Sequence, residues 1–325
     1  MTKILVAGGG GFIGGYLVRD LLSAGHEVTS VDIKPLEEWY QVHPQAKNFC
    51  RDLSLLSECQ LSMQDIDEVY NLAADMGGMG FIENNKAACM LSVLINTHLL
   101  MAAKDHGTKR FFYASSACVY NGSKQDSEDN PGLKEEDAYP AMPEDGYGWE
   151  KLFSERMCRH FYEDYGIETR VARYHNVYGP LGTWDGGREK APAALARKVA
   201  TAKIKNSQSL EIWGDGEQTR SFTYIDDCIK GTLLLMESDV REPINIGSDQ
   251  MVSINQMVGI LEKIAGIELA REYNLSAPKG VRGRNSENSK VRKLLGWEPS
   301  ITLEFGLLQT YNWIQEQIVT EAKRS

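Results

Sequence analysis

Short apolar runs alternate with amphipathic stretches along the first half of the chain. Lys3–Ala7, Glu27–Asp32, Glu68–Leu72, Arg110–Ala114 and Thr169–Arg173 read as strands, the middle ones bounded by turn or charged residues. Helical patterns fill the gaps at Phe12–Ala24, Ala87–His106 and Tyr147–Tyr165. This rhythm predicts an α/β fold over residues 1–174, a Rossmann-type doubly wound parallel sheet with helices on both faces. Past Tyr174 the rhythm breaks into a glycine-rich loop, a helix, a short strand near Leu210–Trp213 and the turn GDGEQTR. Residues 222–249 are expected to return to the sheet. The rest of 175–325 is expected to form a smaller, discontinuous substrate lobe. Ser123–Asp137 reads as a polar, acidic surface loop.

The 325 residues, 42% of them hydrophobic and 25% charged, suffice for one large α/β unit and a smaller lobe. The formal net charge of -10 argues against a nucleic-acid partner or an anionic membrane surface. An anionic ligand must then meet a local cluster of cations. Cys50, Cys59, Cys89, Cys118, Cys158 and Cys228 are irregularly spaced without a CxxC pair, so neither a disulfide framework nor a metal site is expected. Free thiols suit a reducing compartment. The opening residues pass straight into a strand, and no uninterrupted apolar run approaches the roughly 18 residues of a spanning helix. A cytoplasmic protein is the expectation.

Strand one ends in Gly8-Gly9-Gly10-Gly11-Phe12-Ile13-Gly14. Gly8 permits a tight turn, Gly11 lets the backbone approach a pyrophosphate and Gly14 allows close helix–strand packing. Phe12 and Ile13 open the helix whose N-terminus supplies amide donors and a positive dipole end. Asp32, at the end of strand two, is placed to bond ribose hydroxyls and to repel a 2′-phosphate, which predicts NAD over NADP.

Tyr147 and Lys151 stand at i and i+4, on one helical face. A nearby ammonium and an oxidised nicotinamide would both favour phenolate and draw the tyrosine towards neutrality from its ordinary value of about 10. Ser116, at the end of the Arg110 strand, is spaced to share the substrate proton. Glycine turn, strand-end serine and YxxxK in that order resemble the extended short-chain dehydrogenase/reductases. In that superfamily Asp52 and Leu53 fall where the adenine is contacted, although Asp52 could equally be a helix cap.

Oxidising a hexose at C4 acidifies the hydrogens at C3 and C5, and inverting those centres takes a base on one face and an acid on the other. Cys118 and Lys190 are the candidates, since a thiol beside cations and a desolvated lysine can both be tuned near neutrality. The bland alternatives are a small buried hydrophobe, the role expected of the other five cysteines, and a solvated loop lysine.

AADMGGMGF (73–81), SSAC (115–118), RYHNVYGP (173–180), GGREKAPAA (186–194), WGDGEQTRSF (213–222) and VRGRN (281–285) together resemble the GDP-mannose 3,5-epimerases. The resemblance implies conversion of GDP-D-mannose to GDP-L-galactose, and also GDP-L-gulose, with bound NAD regenerated each cycle. It implies that Tyr147 and Lys151 run oxidation and re-reduction at C4, and that Cys118 and Lys190 are the acid/base pair. It puts Ala73 by the cofactor and Gly77 and Ser116 against the hexose. Asn176, Glu189, Ala191, Lys198, Gln218, Arg220 and Arg284 would surround the nucleotide diphosphate, with Arg282 a further candidate. A homodimer is expected, because helices 87–106 and 147–165 carry more apolar surface than one sheet face covers. The chain departs from plant members in its shorter ends and in a longer-looking 203–209 segment. A 4,6-dehydratase would need an Asp-Glu pair where Ala117 and Cys118 stand. A 4-epimerase would leave Cys118 and Lys190 without purpose, and a non-catalytic NAD-binding protein would not need Ser116, Tyr147 and Lys151 together.

Overall fold

The computed structural model describes residues 1–278 and 280–324. Six strands follow in chain order, β1 Lys3–Ala7, β2 Glu27–Asp32, β3 Lys47–Cys50, β4 Glu68–Asn71, β5 Arg110–Ser116 and β6 Glu168–Tyr174. With Ile244–Ile246 they form one parallel sheet among the described residues, in the order Ile244–Ile246, β6, β5, β4, β1, β2, β3. The predicted Rossmann-type architecture is the one found.

β1 and β5 carry apolar runs because both faces of the sheet are covered there. Ile4, Val6 and Phe112 point to one apolar layer, and Leu5, Ala7, Phe111 and Tyr113 to the other. That is the alternation a strand imposes. Strand order reverses between β1 and β4, which opens a crevice at their carboxyl ends, the place where a doubly wound sheet accepts a ligand.

Helix Lys86–His106 ends at Gly107, in the left-handed conformation at φ 69°, and Asp145–Tyr165 ends at Gly166 with φ 74°. The two helices pack against each other. Their outward faces stay apolar, with Met90, Leu91 and Leu94 exposed on the first and Trp149 and Phe153 on the second. Helix Lys86–His106 is long and apolar enough, by length and composition alone, to cross a membrane.

Beyond β6 the chain builds the other wall of the crevice. Helix Ala191–Lys205 packs on Ile254–Ala265 and Leu303–Arg324. Strand Thr219–Ser221 lies between Met251–Ser253 and Gly283–Arg284. The 123–137 segment is less superficial than its polarity suggests. Leu133 and Gln125 are buried in it, and Leu133 bridges to Ser286.

A buried ion pair fixes helix Asp145–Tyr165 to the sheet. Glu155 accepts from Arg173 of β6 through Nε at 2.9 Å and Nη2 at 2.7 Å, and from Ser115 of β5 at 2.5 Å. Arg173 also donates to the Glu135 carbonyl at 2.6 Å. Arg173→Met should therefore destabilise the fold by about 3–5 kcal/mol, because it strands a buried carboxylate. Urea unfolding reads this out, and a loss below about 1 kcal/mol would show that the pair does not anchor the helix.

Candidate active site

The glycine turn after β1 leaves no room for side chains. A Cβ on Gly14 would lie 2.1 Å from the Gly8 carbonyl oxygen, and one on Gly8 (φ 84°) would lie 2.9 Å from the Ala73 nitrogen. Gly11 caps helix Phe12–Ser23 without a side-chain hydrogen bond, so the amides of its first turn point outward uncapped. The Asp32 carboxylate faces this turn, 4.0 Å from where a Cβ on Gly11 would sit, and accepts from the Lys34 amide at 3.1 Å. Outward amides, a close backbone and a facing carboxylate fit a dinucleotide pyrophosphate and its ribose. Phe12 and Ile13 are half-buried, and Phe12 packs edge-on to Tyr16. Asp52 accepts from the Ser54 amide at 2.9 Å, a turn-capping role, and the Leu53 side chain packs into the core. Ala73 borders the turn, its amide donating to Asn71 Oδ1 at 3.2 Å.

A cavity of about 430 Å³ opens beside this turn. Ser116 and Cys118 reach it from the end of β5, Tyr147 from the helix packed on β5, and Lys190 from the loop that caps helix Ala191–Lys205. Gly77, Asn176, Glu189, Ala191, Lys198, Gln218, Arg220 and Arg284 line it as well. Lys151 stands behind Tyr147, its Nζ 5.5 Å from that ring centroid, 4.7 Å from the Tyr113 ring and 3.6 Å from Glu150 Oε2.

Burial dominates the electrostatics of the cavity. Burial pushes the Tyr147 phenol well above its ordinary value, with Cys118 and Glu150 adding and a hydrogen bond from Ser116 opposing. The Lys151 ammonium is met by Glu150. The Cys118 thiol is likewise pushed up to about 11 by burial and by Glu144, against the pull of Arg284. Lys190 moves as expected, its ammonium destabilised chiefly by burial and also by Arg284. Its place at a helix N-terminus adds a dipole of the same sign. Of the other cysteines, four are buried, whereas Cys50 is exposed.

Arg220 and Arg284 are direct partners on neighbouring strands. Opposed like charges destabilise a sheet, so the pairing makes sense only where negative charge is to be met. Arg284 is buried, with Nε on Gln125 Oε1 at 2.5 Å, Nη1 on Cys118 Sγ at 3.6 Å and Nη2 on Glu144 Oε1 at 2.5 Å. It therefore borders the thiol as well as the cavity. Burial and Arg284 together lower Arg220 to about 10. Glu189 accepts from Arg197 and from the Gly187 amide, both at 2.7 Å, which ties its loop to the helix. Lys198 donates to the Glu211 carbonyl at 2.9 Å, Gln218 to the Trp213 carbonyl at 2.8 Å and Asn176 to the Ser221 carbonyl at 2.9 Å. Arg282 is held by Glu128 and Asp215, outside the cavity lining.

Arg188, Asp75 and Glu144 went unremarked as individual residues in the sequence. Arg188 pairs with Asp75 at 2.6 Å and stacks 3.8 Å over the Phe81 ring, while its carbonyl accepts from the Gly78 amide at 3.0 Å. These contacts hold the Lys190 loop against the 75–81 segment. Glu144 is the third, and its signal was its position directly ahead of the YxxxK helix.

A glycine turn at the crevice of a doubly wound sheet, feeding a cavity that holds Ser116, Tyr147 and an adjacent Lys151, defines a nicotinamide-dependent enzyme of the extended short-chain dehydrogenase/reductase class. Residues 4–247 match the family model described as the NAD dependent epimerase/dehydratase family. The chain is 49% identical to GDP-mannose 3,5-epimerase 1 of Oryza sativa subsp. indica, over 98% of this chain and 83% of that one. It is 48% identical to GDP-mannose 3,5-epimerase of Arabidopsis thaliana, over 98% and 84%. Among solved structures it resembles UDP-glucose 4-epimerase of Thermotoga maritima with UDP-glucose, at TM-score 0.86 and 26% identity over 97% of this chain and 99% of that one. It also resembles UDP-glucuronic acid 4-epimerase of Bacillus cereus in complex with UDP-glucuronic acid and NAD, at TM-score 0.82 and 28% identity with the same coverage. The chain belongs to the NAD dependent epimerase/dehydratase family, in the branch of the rice and Arabidopsis proteins. Its cofactor is NAD.

Asp32→Ala should weaken NAD binding and narrow the preference over NADP, because it removes both the ribose acceptor and the charge that repels a 2′-phosphate. Titrating both dinucleotides against the variant measures this. An unchanged NAD/NADP ratio would remove Asp32 from the ribose site.

Proposed function

We propose that this chain is a GDP-mannose 3,5-epimerase, producing GDP-L-galactose and also GDP-L-gulose. The observation that carries the reading is that Cys118 and Lys190, from different elements, line the same cavity as Ser116 and Tyr147. A 4-epimerase or a dehydratase has no use for that thiol and amine. The full-length likeness to the plant enzymes supports the same choice of substrate.

NAD, when bound, takes hydrogen from C4 as hydride and returns it. Tyr147 receives the proton of the C4 hydroxyl, with Ser116 sharing it and Lys151 behind the ring. Oxidised nicotinamide, when bound, would supply positive charge that favours the phenolate. Cys118 and Lys190 then move protons at C3 and C5, both of which lie α to the C4 ketone. Arg220 and the amides at the start of helix Ala191–Lys205 are placed to meet the diphosphate in an otherwise acidic protein. The six unpaired cysteines support a cytoplasmic location.

Incubation with GDP-mannose in heavy water tests the reading. Deuterium should enter at C3 and C5 while C4 keeps its hydrogen, without external reductant. Exchange at neither carbon, or turnover to a 4-epimer alone, would refute it. Tyr147→Phe should abolish exchange at both carbons, because no ketone forms.

We also propose a homodimer in which the exposed faces of helices Lys86–His106 and Asp145–Tyr165 pack on their copies as a four-helix bundle. The exposed Met90, Leu91, Leu94, Trp149 and Phe153 support it. Light scattering at micromolar concentration should report twice the chain mass, and Leu91→Glu with Phe153→Glu should return monomer. A monomeric unaltered protein would reject the arrangement.

A further inference from the structure

Tyr113 of β5 and Ser115, two residues on, share one face of the strand, and each hydroxyl takes a carboxylate of helix Asp145–Tyr165. Ser115 serves Glu155 in the buried anchor. Tyr113 donates to Glu150 Oε1 at 2.9 Å, and Ser154, one turn along the helix, donates to the same oxygen at 2.8 Å. The Tyr113 ring meets a second group as well, because the Lys151 ammonium stands 4.7 Å from its centroid. Tyr113, Glu150 and Lys151 are all buried.

Adjacent residues on a helix point about 100° apart and do not ordinarily face each other. Here Glu150 Oε2 and Lys151 Nζ approach to 3.6 Å, and both residues lean on one tyrosine. That separation is too long for a hydrogen bond. Oε2 has no hydrogen-bond partner among the described residues, and the Lys151 ammonium makes no hydrogen bond there either. An ammonium carries three donors, and burying it with none of them met is costly.

We propose that Tyr113 positions Lys151 for the dinucleotide, its ring face carrying the ammonium and its hydroxyl fixing the Glu150 carboxylate that faces the same cation. A ring face and a carboxylate at 3.6 Å offset the charge without using up its donors. The three N–H groups stay open for acceptors that the bound dinucleotide brings. Nζ lies 5.5 Å from the ring of Tyr147, which reaches the cavity beside the glycine turn, so the open donors are on the cofactor's side of the site. Burial holds the Tyr113 phenol well above its ordinary value, which keeps it a donor to Glu150. The inference rests on the NAD-dependent class alone and not on which sugar carbons are inverted.

The test is a double-mutant cycle on NAD affinity, measured by titrating NAD into the full chain. Tyr113→Leu removes face and hydroxyl together and should weaken NAD by about tenfold, the size of a desolvated cation–π contact. In a Lys151→Met background the same substitution should change the affinity by less than about twofold, because Tyr113 acts through the ammonium. Tyr113→Phe keeps the ring and nearly all the volume, and should weaken NAD by about threefold, again only where Lys151 is present. If Tyr113→Leu does not fold, the Tyr113→Phe pair decides alone. Equal losses with and without Lys151, or no loss from either variant, would make Tyr113 a packing residue and overturn the proposal. NAD binding needs neither sugar nor turnover, so this failure is distinct from failure of the heavy-water assay.

Discussion

Burial strips Tyr147, Cys118, Lys190 and Arg284 of the water that would stabilise their charged forms. It is the largest influence on each, and the rest of the site works against it or with it. The Lys190 ammonium is destabilised by it, with Arg284 adding, and the Tyr147 phenol is raised well above its ordinary value. The buried Arg284 charge is met by Glu144. The protein's net charge says little about such a place. An acidic chain holds two arginines side by side on neighbouring strands, Arg284 on Glu144 and Arg220 on the carbonyls of Thr219, Val281 and Arg282.

The scaffold that permits this is the junction of β5, β6 and helix Asp145–Tyr165. Ser115 points back to Glu155 in the anchor, while Ser116, next along the strand, points forward to the cavity. The alternation of a strand thus splits one dipeptide between structure and chemistry. Glu155 follows Lys151 by four residues and Tyr147 by eight, so the face of the helix that is clamped to Arg173 is the face that presents the phenol. The Lys190 loop has no such anchor in the sheet, and Arg188 with Asp75 and Phe81 takes that part from across the cavity mouth.

Much of this was legible beforehand because local patterns carried it. The glycine turn has steric consequences that can be read off the residues, and Gly8 and Gly14 show them. The strands announced themselves as apolar runs, and i, i+4 spacing put Lys151 behind Tyr147. The strings around Ser116, Cys118, Lys190 and Arg220 located residues that do meet in one cavity. What escaped was set by distant partners. Nothing local reveals that Gln125, Cys118 and Glu144 surround Arg284. Nothing local reveals either that burial and Glu144 raise the Cys118 thiol against the pull of Arg284. Arg282 read as a candidate for the ligand, and its two carboxylate partners lie more than 60 residues away.

The central claim is that one cavity holds two separable chemistries, oxidation at C4 by Tyr147 and inversion at C3 and C5 by Cys118 with Lys190. Cys118→Ala separates them most directly, by following NADH absorbance and deuterium uptake from GDP-mannose in one sample. The account predicts that NADH still forms while exchange falls by about 10²–10⁴-fold, the usual cost of losing a placed acid or base. Exchange at the unaltered rate would reduce Cys118 to a packing residue and contradict the account.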